Sequence, residues 1–132
     1  MKIKFFNVQK LDRNLKATVH QTGKTGFTIE AADKMQLTTD KSISIGVNED
    51  DENDRNLYAV VNPDKREDSF PVLKAGLYYY INTKPLFKTL KMDYEKGNIV
   101  YEIVKEEIDG TEVYVFELKE NKKKESQNNS PL

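Results

Sequence analysis

The chain has 132 residues, 37% hydrophobic and 33% charged, with a net charge of −1 and no cysteine. That length suits one domain with a real core, and the lack of cysteine excludes a disulfide framework and thiolate metal sites. No run approaches the ~18–20 apolar residues of a membrane span. Met1-Lys2-Ile3-Lys4-Phe5-Phe6 lacks the sustained apolar stretch of a secretory signal, so a cytoplasmic protein without membrane contact is expected.

Ile3 to Val8 reads as a first strand and Lys16 to Gln21 as a second. Thr22-Gly23-Lys24-Thr25-Gly26 is a glycine turn into Phe27-Thr28-Ile29, followed by a short helix over about 30–37. Ser42 to Val47 and Leu57 to Val61 form a hairpin around the charged loop 48–56. Residues 62–68 have the composition of a linker. Phe70 to Leu73 reads as an edge strand, because Pro71 cannot donate a ladder bond. Leu77 to Ile81 is the next strand. A helix follows through Leu86, Phe87 and Leu90, with Asn82 or Thr83 at its start and Pro85 in its first turn. Residues 98–105 and 112–118 make a last hairpin around Asp109-Gly110.

The order strand, strand, helix, strand, strand therefore occurs twice. Ala31, Ala32, Met35 and Leu37 share a spacing with Leu86, Phe87, Leu90 and Met92, and an alternating strand follows each set. The expected fold is α+β and β-rich, with two pseudo-symmetric ββαββ units, about 16–61 and 70–118, forming one barrel-like domain over 1–118. Residues 119–132 are expected to be a disordered tail.

Charge is uneven along the chain. Residues 1–25 hold six cations and one acid, a sum of +5, and residues 26–68 hold five cations and eleven acids, a sum of −6. The basic end either attracts a polyanion or simply solvates outer strand faces. Gly23-Lys24-Thr25 lacks the earlier glycine and following helix of a phosphate loop, so a hairpin turn accounts for it better. The acidic loop lacks the glycine and glutamate of a calcium-binding loop. His20 is the single histidine and has no recognisable nucleophile or metal partner. In Leu77-Tyr78-Tyr79-Tyr80-Ile81, alternation sends Tyr78 and Tyr80 to one face and Tyr79 to the other. These rings either stack bases, with Lys74 and Lys84 on phosphates, or pack in the core with hydroxyls at the surface.

Residues Gly23 to Leu37, with Ile43-Ser44-Ile45 and Leu57 to Val61, resemble the core of the AbrB-like swapped-hairpin domains. That group includes transition-state regulators, MazE-type antitoxins and MraZ-type fused pairs. Ile29 and Leu37 match the isoleucine ending the strand and the leucine closing the short helix. The resemblance implies two interlocked units in one barrel, here built from a single chain. It also implies DNA contact through Lys16, His20 and Lys24, with Lys10 and Arg13 just outside the matched segment. Glu30 stands where the family has proline, and Ala31, Ala32 and Asp33 replace its arginines.

The expected function is a small non-enzymatic nucleic-acid-binding or transcription-regulatory protein. Lys10, Arg13, Lys16 and Lys24 would neutralise phosphates, and His20, Gln21 or Thr22 would supply base contacts. No catalytic residue, metal ligand or cofactor is assigned. The alternative is an antitoxin-like or accessory protein-interaction module whose acid-rich middle engages a basic partner. Self-association is left open.

Overall fold

Period-two alternation decides the architecture. Ala17 and Val19, Thr25 and Phe27, Ile99, Tyr101 and Ile103, and Tyr114 and Phe116 are all buried, so successive strands turn one face to a shared interior. The computed structural model describes residues 1–6, 8, 14–97 and 99–121. Its strands are β1 (Lys16–Val19), β2 (Lys24–Phe27), β3 (Ser42–Gly46), β4 (Leu57–Asn62), β5 (Phe70–Pro71), β6 (Leu73–Ala75), β7 (Tyr78–Asn82), β8 (Ile99–Ile108) and β9 (Thr111–Asn121). Helices α1 (Ile29–Lys34) and α2 (Lys84–Thr89) join β2 to β3 and β7 to β8. Strand makes up 43% and helix 12% of the structure, which upholds the β-rich expectation.

All pairings are antiparallel, in the order β5-β3-β4-β9-β8-β1-β2-β7-β6. The two ends of that order, β5 and β6, are one stretch of chain interrupted at Val72, so the sheet is a nearly closed barrel. Val72 is buried and gives its N–H to the Lys41 carbonyl at 3.1 Å, which takes it out of both ladders.

Aromatic rings fill the centre. Phe116 meets Phe27 edge-on at 6.2 Å and Tyr101 at 6.1 Å, and Tyr101 stacks on Phe87 of α2 at 6.4 Å. Met35 is buried in this cluster, and Leu90 packs against it from α2. Burial pushes the Tyr101 hydroxyl up to about 12, because the phenolate would lose its hydration there.

Two turns depend on their glycines. Gly23 closes the β1–β2 turn with an N–H bond of 2.8 Å to the His20 carbonyl, at φ +93. A Cβ on it would stand 2.6 Å from Lys84 Cβ, so both the backbone angle and the neighbour require glycine. Asp109 and Gly110, at φ 51 and φ 80, form the two-residue turn expected of Asp-Gly between β8 and β9.

The helices end alike but start differently. Gln36 and Lys91 both take left-handed φ, 55 and 58, just after the final helical turn. Thr28 caps α1 by accepting the Ala31 N–H at 3.3 Å. Thr83 makes no such cap, because its hydroxyl donates to the Gly23 carbonyl at 2.8 Å and meets Thr25 Oγ1 at 2.6 Å.

Four expectations need correction. Residues 1–6 form no strand, and Ile3, Phe5 and Phe6 are exposed there, because β1 is already paired on both edges by β2 and β8. Gly26 lies inside β2 rather than in the turn. The strand begun at Phe70 breaks at Val72. The expected tail starts too early, since β9 runs to Asn121; residues 122–132 lie outside the described residues. No helix among the described residues is long and apolar enough to cross a membrane.

Candidate functional site

The outward positions of β1, β2, β7 and β6 form one surface. Thr18 pairs with Gly26, Gly26 with Tyr80, and Tyr80 with Leu73, which sets one row across the four strands. Because the second member of that row has no side chain, the sheet surface dips there. The result is an open hollow of about 570 Å³, lined mainly by apolar groups, with Thr18, His20, Lys24, Tyr78 and Tyr80 around it. His20 leans over the glycine: a Cβ at Gly26 would lie 3.0 Å from His20 Nε2.

The cations sit beside rings. Lys24 Nζ stands 5.1 Å from the centre of the Tyr80 ring, within cation–π range. Tyr78 is 58% exposed, on the face of β7 opposite to that of the buried Ile81. Among the described residues no carboxylate lines the hollow. Buried Thr25 and Thr83, joined beneath the β1–β2 turn, fix the start of β2 and thereby the position of Lys24.

The sequence-expected residues divide as follows. His20 and Lys24 line the hollow. Lys16 is exposed on the same outward face of β1 but lies outside the hollow, paired in the ladder with Glu102 of β8. Gln21 and Thr22 are exposed in the turn. Lys10 and Arg13 lie outside the described residues. The tyrosines alternate as the sequence requires: Tyr79 packs against the core cluster, with Lys74 Nζ 5.2 Å from its ring. The expected partner Lys84 stands against Gly23 instead.

Gly26 and Thr18 were missed. The available signal was a glycine inside a strand of alternating burial, which marks a bulge or a close approach of another group.

The outward side of β3, β4 and β9 is different in kind. Its loop 48–56 is held by three short side-chain turns: Asp50 N–H to Asn48 Oδ1 at 2.9 Å, Asn53 N–H to Asp51 Oδ1 at 3.0 Å, and Asn56 N–H to Asp54 Oδ1 at 2.9 Å. The Tyr58 hydroxyl donates to the Asp54 carboxylate. That bond and the Asn56 N–H hold Asp54 below the usual carboxylate range, and the same bond to Asp54 raises Tyr58. Among the described residues, no three His, Cys, Asp or Glu side chains converge where a metal could sit. No protein-family model, curated protein or solved structure matches the chain.

Proposed function

We propose that this protein binds nucleic acid without catalysis and acts as a small cytoplasmic regulator of the AbrB-like kind. The observation that carries the reading is the joint presence of Lys16, His20 and Lys24 on one outward face, with no carboxylate in the hollow between them. Phosphate neutralisation by Lys16 and Lys24 supplies the sequence-independent share of affinity. Glu102 beside Lys16 weakens the field at one end of the face.

Two pseudo-symmetric units are part of the proposal, and the strand pairings support them. The β1–β2 pair corresponds to β6–β7, and β3–β4 corresponds to β8–β9. The β1–β8 pair corresponds to β5–β3, while β2–β7 and β4–β9 join each unit to its counterpart. The matched left-handed residues after α1 and α2 point the same way. A single-chain pseudo-dimer of this kind is what the AbrB-like resemblance of residues 16–61 implies.

A mobility-shift titration with single-stranded and duplex DNA at about 50 mM and about 200 mM salt tests the reading. Binding at low salt that weakens at high salt is expected, with a shallower salt dependence in Lys24→Gln. Absence of any affinity at low salt overturns it. The second reading, a protein-interaction module, draws on the acid-rich loop 48–56, and nuclease-resistant capture of one defined basic partner would favour it.

A further inference from the structure

Resting on that reading, we infer that the ligand is a single strand whose bases stack on Tyr80 and Tyr78. Tyr80 stands in the wall of the hollow over Gly26, with the Lys24 ammonium over its ring. A duplex hides its base faces inside the stack, and its major groove is read by an element that protrudes, such as a helix or ribbon. This face offers a dip instead. An unpaired base presents both flat sides, and aromatic platforms flanked by cations hold such bases with little regard to sequence.

Spacing supports two stacking positions. Tyr78 and Tyr80 point the same way from one strand, so their attachment points lie about 6.6 Å apart at the usual strand rise. Both are accessible: Tyr78 is 58% exposed, and Tyr80 is half-buried with Lys24 Nζ over its ring. A base arriving on Tyr80 takes the place of that ammonium, which then turns to the adjoining phosphate. His20, leaning across Gly26, closes the far side of the hollow. Apolar grooves lined by tyrosine also receive proline-rich peptides. Lys24, without an acid among the lining and with Lys16 beyond it on the same outward face, favours a polyanion here.

Fluorescence anisotropy separates the outcomes, using labelled oligothymidylate of about twelve nucleotides and a mixed-sequence duplex of the same length. Wild type is expected to bind the single strand at least about ten-fold more tightly than the duplex. Tyr80→Leu is expected to lose about ten-fold for the single strand while keeping the salt slope of wild type, because phosphate contacts are unchanged. Tyr78→Ala should lose less. Thermal unfolding of each variant confirms that the fold is intact, and Tyr78→Ala, at an exposed site, serves if Tyr80→Leu does not fold. Equal affinity for duplex and single strand, or undiminished binding by the folded tyrosine variants, overturns the stacking inference and leaves the broader reading standing. Failure of both nucleic acids at low salt removes the broader reading as well. Capture of a labelled oligoproline in place of either would make the hollow a peptide site and overturn the inference.

Discussion

The two outward faces of this barrel are built on the same alternating strands and carry opposite chemistry. Over β1, β2, β7 and β6 the outward residues include Lys16, Lys24, Tyr78, Tyr80 and a glycine that opens a hollow, among uncharged neighbours such as Thr18 and Leu73. Beyond β3 and β4 the surface leads to an acidic loop tied down by its own side-chain turns. The inward residues show no such contrast, since both sides send apolar groups into one cluster. Folding constrains the inward half of each strand, and the outward half is left to serve a ligand.

The largest expected effect removes what the faces share. Phe116 touches both Phe27 and Tyr101, so Phe116→Ala should destabilise the protein by about 3–5 kcal/mol in urea unfolding. A loss below about 1 kcal/mol would mean that the two sides do not depend on one interior.

A smaller effect distinguishes the faces. Gly23→Ala should cost about 1–3 kcal/mol from the left-handed backbone alone, with the approach to Lys84 adding to it. Gly46→Ala, at the end of β3 with nothing within 4 Å, should instead stabilise by about 0.5 kcal/mol. Equal responses at the two glycines would show that the β1–β2 turn is no more constrained than the β3 end.

The interior also sets an alkaline limit. Tyr101 ionises near 10 when unfolded and at about 12 when folded. Its raised value favours the neutral form in the native state, so the contribution is complete below about pH 10 and is lost between about pH 10 and about pH 12. Unfolding curves across that range should fall more steeply for wild type than for Tyr101→Phe. Parallel curves would show that this hydroxyl is not buried from water.

The smallest effect on stability carries the largest effect on binding. Gly26→Ala places a methyl group 3.0 Å from His20 Nε2, which raises the floor of the hollow and crowds the imidazole. Stability should change by less than about 1 kcal/mol, while single-strand affinity falls several-fold. Unaltered affinity would detach the hollow from the ligand.

Much of the fold could be read from local residues. Asp109-Gly110 specified its turn, the pattern around Ala31 to Leu37 located α1 but ran its end three residues past Lys34, and Pro71 marked a sheet end. Ile3 to Val8 misled because alternation shows that a segment suits a strand, not that an edge is free to pair with it. The hollow was harder to foresee. Its floor is Gly26 on β2, and its wall is Tyr80 on β7, neighbours only through a register that depends on the whole barrel. Likewise Thr28 and Thr83 look equivalent in sequence, yet one caps its helix and the other joins Thr25 and the Gly23 carbonyl.

The most direct test of the binding face is an amide chemical-shift titration of the ¹⁵N-labelled protein with a short single strand at low salt. Perturbations should gather at Thr18, His20, Lys24, Gly26, Tyr78 and Tyr80 and leave loop 48–56 unmoved. Perturbations centred on that loop, or none at all, would contradict the account.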